Sequence, residues 1–262
     1  MTSAFTVDDV VVRFGDRAAV NGASVEIPRG EITAIVGPNG CGKSTLLRAM
    51  ARLQSPDAGS IRLNDSDVYS IRPKQFATRV ALLPQAPVAP DNLTVIDLVT
   101  RGRDPYRRWF DQWSVDDEAA VADALGRAGM IEFADRPLES LSGGQRQRAW
   151  IALSFAQQTD VLLLDEPTTY LDIAHQLEVL DTVRELHTRD GVTVVMVLHD
   201  LSLAARYADN LIAMRDGAIV AAGSVHDVVT PPVLRDVFGV DCTVFTDSES
   251  GRPVVIPRSI AR

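Results

Sequence analysis

Residues Gly37-Pro38-Asn39-Gly40-Cys41-Gly42-Lys43-Ser44-Thr45 directly follow the apolar stretch Ile32 to Val36, and helical spacing runs from Ser44 to about Arg52. A strand, a glycine-rich loop and a helix in that order leave few folds open, because the loop must turn sharply and aim backbone amides at an anion. Gly37, Gly40 and Gly42 supply the conformational range for that wrapping. Lys43 places a compact ammonium near the β- and γ-phosphates of a nucleotide, and the Ser44 hydroxyl is an oxygen donor suited to Mg²⁺. Lysine occurs only at Lys43 and Lys74, whereas arginine supplies the rest of the positive charge. A lysine inside the loop is therefore informative. Two readings stand for Cys41: a small space-filling residue, or a thiol whose pKa is lowered by helix-terminal amides and Lys43.

Strand-like stretches at Thr6 to Arg13, Ala23 to Ile27, Ser60 to Leu63 and Val80 to Leu83 surround the loop. From about residue 86 to 158 the spacing turns helical, at Val95 to Arg101, Asp116 to Gly129 and Gly144 to Gln157. Strands return at Val161 to Leu164, Val192 to Leu198 and Leu211 to Met214, with a helix around Ile173 to Thr188. Alternating strand and helix predicts an α/β fold with a largely parallel core sheet, an antiparallel β subdomain and an inserted helical subdomain over 86–158. One domain, 1–262, is expected. Asp216-Gly217 predicts a tight hairpin turn, because both central positions favour positive φ. The tail from Val233 to Arg262 carries no comparable signal.

Val161 to Leu164 reads as a strand buried on both faces, delivering Asp165 and Glu166 to its carboxyl end, where ligands of such sheets sit. Asp165 is expected to hold Mg²⁺ through its water shell, and Glu166 to polarise an attacking water as general base. Ser142, Gly143, Gly144 and Gln145 open the helix that follows Leu141. A hydroxyl and small residues at a helix N-terminus make a second phosphate-binding device.

The order of these motifs resembles the ATPase subunit of ATP-binding cassette (ABC) transporters, a family of P-loop NTPases. The resemblance covers nearly the whole chain. It is nearest to ATPases of iron-siderophore, haem and vitamin B12 importers, especially ferric-siderophore systems, through Arg101-Gly102-Arg103-Asp104-Pro105-Tyr106, Asp165 to Leu180 including Thr168 to Gln176, and Val197 to Tyr207. It implies ATP and Mg²⁺ as ligands, with Thr45 on the α-phosphate, Gln85 reaching Mg²⁺ and water, and His199 touching the γ-phosphate. It also implies a head-to-tail homodimer in which Ser142 to Gln145 close over ATP held by the opposite chain, with Asp172 at that interface. Phe14 matches the aromatic position that stacks on adenine, where tyrosine is more usual; a core Phe on the first strand is the other reading. His175, His187 and His226 have no comparable assignment.

By the same resemblance the partners are two integral-membrane permeases, with an extracytoplasmic binding protein as indirect partner. The stretch Ala86 to Trp113 is where such ATPases receive a permease helix, although a solvated loop fits its residues equally well. The implied activity is ATP hydrolysis coupled to uptake of a ferric-siderophore-type chelate. B12, haem or another metal chelate, or a stand-alone soluble ATPase, are the alternatives. Composition agrees with that setting. A net charge of −9 argues against a nucleic-acid groove as the main surface. No apolar stretch approaches the ~20 residues needed to cross a bilayer, and the first residues lack a secretory pattern, so the cytosol is expected; the permease partners implied by the resemblance place the chain at the cytoplasmic face of the membrane. Cys41 and Cys242 make neither a disulfide framework nor a zinc pattern.

Overall fold

The computed structural model describes residues 2–107, 113–169 and 171–261. Contacts divide the chain into two compact units, Met1–Ile71 with Thr193–Arg262, and Arg72–Val192. The first unit opens with β1 (Ser3–Phe14), β2 (Arg17–Pro28), β3 (Ile32–Val36), α1 (Lys43–Met50), β4 (Ala58–Leu63) and the short β5 (Ser66–Asp67). The second holds α2 (Pro73–Ala77), β6 (Val80–Leu83), α3 (Val95–Thr100), α4 (Val115–Arg127), α5 (Gly143–Ala156), β7 (Val161–Asp165) and α6 (Ile173–Asp190). The chain returns to the first unit with β8 (Thr193–Val197), α7 (Leu201–Tyr207), β9 (Asn210–Arg215), β10 (Ala218–Ser224), α8 (Val225–Val228), α9 (Pro231–Phe238), β11 (Val240–Thr246) and β12 (Pro253–Ile260).

In the first unit β2-β1-β4-β5 form an antiparallel sheet, and a second group runs in the order β10-β9-β3-β8 with β3 parallel to both β8 and β9. Every residue of β3 and β8 is buried, as expected of parallel strands covered on both faces. Leu46, Leu47 and Met50 of α1 are buried as well, and α1 packs on β8 while α7 packs on β3. The β9–β10 turn has Asp216 at φ 49° and Gly217 at φ 84°, the two left-handed positions anticipated from Asp-Gly.

The tail has more structure than its sequence pattern reveals. Pro231 and Pro232 start α9, Gly239 ends it in the left-handed region, and β11 pairs with β12 from Val240↔Ile260 to Thr246↔Pro253. No two-residue Asn-Gly or Asp-Gly turn joins the two strands. The turn is instead organised by Asp247, whose carboxylate accepts from the Ser250 amide at 2.9 Å.

In the second unit β6 and β7 are parallel, in register from Val80↔Val161 to Leu83↔Leu164. Capping boxes open α3, α4 and α5, through Thr94 with Asp97, Ser114 with Asp117, and Ser142 with Gln145. Each satisfies two otherwise orphaned amides and contributes about 1 kcal/mol. The turn Arg101 to Tyr106 binds the far end of α5. Arg103 donates from Nη1 to the Ala156 carbonyl at 2.8 Å and the Gln158 amide oxygen at 2.9 Å, and Tyr106 donates to the Gln157 carbonyl at 2.7 Å. A cation at a helix C-terminus is favourable. Gly102 lies so close that a Cβ there would fall 2.5 Å from the Leu153 carbonyl oxygen.

Arg103 Nε also pairs with Asp117 at 2.9 Å, their side chains 7% and 8% exposed. Removing one member strands a buried charge, so Arg103→Ala is expected to lower unfolding stability by about 3–5 kcal/mol. The midpoint of urea unfolding reports it, and an unchanged midpoint rejects it. Burial pushes the Asp117 carboxyl up, but hydrogen bonds from Arg103 and Ser114 outweigh it and hold the group below the usual carboxylate range. A depressed native pKa means this contribution is present above the unfolded value of ~3.9. It is lost as the pH falls through the native value.

Candidate functional site

The phosphate loop lies where β3 runs out and α1 begins, and its glycines are obligatory. Gly37 has φ 149° and Gly42 φ 105°. A Cβ would fall 2.1 Å from the Met214 carbonyl oxygen at Gly37, and 2.1 Å from the Ala19 carbonyl oxygen at Gly42. The loop is further held by the Gly217 amide donating to the Cys41 carbonyl at 3.0 Å and by Arg17 Nη2 donating to the Gly40 carbonyl at 3.1 Å. Buried Lys43 donates from Nζ to the carbonyls of Gly37 at 2.8 Å and Pro38 at 2.9 Å, which takes two of its three ammonium donors. Ser44 and Thr45 are half-buried at the start of α1, while Asn39 and Gly40 are exposed. No acidic residue occupies the first turn of α1, so an anion bound there meets the helix dipole with no like charge on that turn.

Two more predicted residues lie in the same unit. β3 and β8 are parallel neighbours with Ile35 opposite Val197, and the Leu198 amide donates to the Ile35 carbonyl at 3.2 Å. Gly37 and His199 therefore leave adjacent strands at one carboxyl edge. His199 is exposed, and Asp200 caps α7 immediately after it. Phe14 ends β1 opposite Arg17, the residue bonded to Gly40, and is 56% exposed. That exposure overturns its reading as a core side chain.

The second unit repeats the device. Parallel β6 and β7 end side by side, so Gln85 and Glu166 emerge together, and Gln85 Nε2 donates to Glu166 Oε2 at 2.5 Å. Thr169 Oγ1 donates to the same oxygen at 3.1 Å. Glu166 is buried with φ 54°, a left-handed conformation that costs a non-glycine residue roughly 1–3 kcal/mol and concentrates at functional sites. Asp165, one residue earlier, is fully buried at the strand end.

Ser142 caps α5, its Oγ accepting from the Gln145 amide at 3.3 Å while Gln145 Oε1 accepts from the Ser142 amide at 3.1 Å. Ser142 and Gly143 are exposed and Gly144 is buried. Asp172 caps α6, accepting from the His175 amide at 2.9 Å, and His175 hydrogen bonds hold its carboxyl below the usual range.

Residues 20–169 match the family model described as ABC transporter, more than half of the chain. The chain belongs to the ABC transporter family. This ABC protein is 50% identical over 262 residues to the petrobactin import ATP-binding protein FpuD of Bacillus anthracis, covering 100% of this chain and 96% of that one. It is 44% identical over 250 residues to the ferric enterobactin transport ATP-binding protein FepC of Escherichia coli (strain K12), covering 95% and 92%. Among solved structures, the dimeric post-hydrolysis state of the ATP-binding cassette MJ0796 bound to ADP and Pi superposes with a TM-score of 0.74 at 25% identity, over 84% of this chain and 98% of that one.

Within this ABC protein the structure brings together Gly37 to Thr45 with His199 in one unit, and Gln85 with Asp165 and Glu166 in the other. Tyr170 of the stretch before Asp172, and residues 108–112 of the stretch 86–113, lie outside the described residues. Sequence reasoning missed Arg17, whose contact with Gly40 depends on hairpin packing, and it set His175 aside. Of the two readings of Cys41, the lowered-pKa one is corrected. Burial pushes the Cys41 thiol up, and Lys43 and the nearby amides pull it down without overcoming that desolvation. Cys41 is 4% exposed, so maleimide at neutral pH is expected to label it at least ~10-fold more slowly than a free cysteine. Mass spectrometry of the labelled chain measures this, and rapid labelling of Cys41 refutes the burial argument.

Proposed function

We propose that this ABC protein is the ATP-hydrolysing subunit of an importer for ferric-siderophore-type iron chelates. The observation that carries the hydrolytic reading is Glu166, held in a left-handed backbone at a buried strand end with its carboxylate oriented by Gln85 and Thr169. Gly37 to Thr45 cradle the phosphates of ATP, Lys43 neutralises the β- and γ-oxygens, and Phe14 offers a π-face to adenine. Glu166 takes the proton of the attacking water, while His199 hydrogen-bonds the γ-phosphate. The Ser44 hydroxyl, the Asp165 carboxylate and the Gln85 amide are hard oxygen donors, the set that Mg²⁺ takes together with phosphate and water. Bound there, Mg²⁺ supplies charge neutralisation on the β- and γ-phosphates.

Two copies complete the scheme. Among the described residues, nothing beyond its chain neighbours and its own helix backbone lies within 4 Å of a would-be Cβ on Gly143, and its φ is not left-handed. Neither its backbone nor its packing demands glycine, but a phosphate presented by another copy does. Asp172 and Ile173, the latter 76% exposed, are exposed at the start of α6, whose His175 packs on the neighbouring Gly144. Similarity to a dimeric cassette bound to ADP and Pi supports this arrangement.

Two integral-membrane permeases at the cytoplasmic face, and an extracytoplasmic binding protein acting through them, complete the importer. Among the described residues no helix is long and apolar enough to cross a membrane. The cargo reading is supported by FpuD, named for petrobactin import, and FepC, named for ferric enterobactin transport, both similar along nearly their whole length. Reconstitution with the cognate permease and binding protein in liposomes tests it. ATP-dependent uptake of a ferric siderophore, with none of haem or vitamin B12, is the expected result; the reverse preference rejects the cargo.

A further inference from the structure

The first turn of α5 rests on a histidine that hydrolysis does not use. A Cβ on Gly144 would lie 2.6 Å from His175 Cδ2, 3.0 Å from Cγ and 3.3 Å from Nε2, so the imidazole packs directly on the glycine backbone. Nδ1 of the same ring is 2.7 Å from Oδ1 of Asp172, the cap of α6. About one turn further along both helices, Arg148 Nη1 reaches Glu178 Oε2 at 3.7 Å. The first turns of the two helices therefore meet through these side chains, with their N-termini at one end. Gln176 Nε2 donates to the Leu171 carbonyl at 2.9 Å and anchors the chain just before the Asp172 cap.

We propose that His175 is a positioning residue for ATP-driven assembly of two copies, clamping the Ser142–Gly144 turn to Asp172 so that both meet the opposing copy as one preorganised surface. The inference rests on the two-copy reading given above. Parallel helices set their positive ends together, which repels unless something holds them. The imidazole does so through a carboxylate on one side and a glycine surface on the other, and glycine at 144 is what gives the ring room. Ser142, Gly143, Asp172 and Ile173 are exposed, so without the clamp their ordering is a cost met at assembly. ATP binding by the phosphate loop of the same copy does not involve the clamp.

The test uses the full chain carrying Glu166→Gln, in which ATP persists. Adding His175→Ala is expected to raise the protein concentration for half-maximal ATP-dependent dimerisation roughly tenfold, read by light scattering. The affinity of the monomer for a fluorescent ATP analogue should stay within about twofold, a split that general misfolding does not produce. In the same background Gly144→Ala alone should weaken dimerisation, and His175→Ala added to it should restore part of the loss by freeing space for the new methyl group. Unchanged dimerisation in His175→Ala overturns the inference while leaving the two-copy reading intact, as does a Gly144→Ala defect that His175→Ala leaves unrelieved. No ATP-dependent dimer in the Glu166→Gln parent overturns the two-copy reading and the inference with it.

Discussion

Glu166→Gln is expected to lower ATP turnover by about 10²–10⁴-fold, the usual contribution of a general base, while ATP still binds. Glutamine has nearly the same volume and keeps an oxygen that accepts from Gln85 and Thr169, whose bonds to Glu166 Oε2 measure 2.5 and 3.1 Å. The left-handed backbone at φ 54° is as accessible to glutamine as to glutamate. What disappears is the capacity to take a proton from water. ATP therefore accumulates unhydrolysed, and the two-copy state it stabilises persists long enough to be seen by size-exclusion chromatography with light scattering. Turnover within about threefold of the unsubstituted protein would show that another group is the base.

Lys43→Ala has a comparably large effect by a different route, and the two variants separate on binding. Nζ bridges the Gly37 and Pro38 carbonyls, so its loss removes the proposed phosphate ligand and also leaves two loop carbonyls without their donor. Deleting one preorganised donor to a developing oxyanion costs about 10²–10³ in turnover, and weaker ATP binding accompanies it. Lys43→Arg should not rescue, because the lysine is 4% exposed and a planar guanidinium is wider than an ammonium and bonds in a fixed fork. Measurement of kcat and of ATP affinity by titration distinguishes the outcomes. Near-normal turnover in Lys43→Ala removes the loop from the chemistry.

Much of the fold was legible because its signals are local. Ile32 to Val36 and Val80 to Leu83 are short apolar runs between turn residues, and the strands β3 and β6 occupy those same residues. Asp216-Gly217 needs two left-handed residues and takes them. The β11–β12 pair was not legible, since Val240 to Thr246 mixes polar and apolar residues and its partner follows a loop held by Asp247 and Ser250. The meaning of Arg101 to Tyr106 was equally hidden. As a string it marked a resemblance; in space it caps the end of α5, because Arg103 and Tyr106 meet carbonyls more than fifty residues away.

For the site, the sequence by itself determined which chemistry is present: a glycine loop with one lysine, paired acids after an apolar strand, and a serine-glycine helix start. Those depend on residue type and spacing along a short stretch, where backbone geometry leaves little choice. Only the tertiary structure decided that Phe14 faces outward, that burial raises the Cys41 pKa more than Lys43 lowers it, and that His175 packs on Gly144. Exposure, desolvation and contact between helices arise from what packs around a residue, and that is settled by segments distant in the chain.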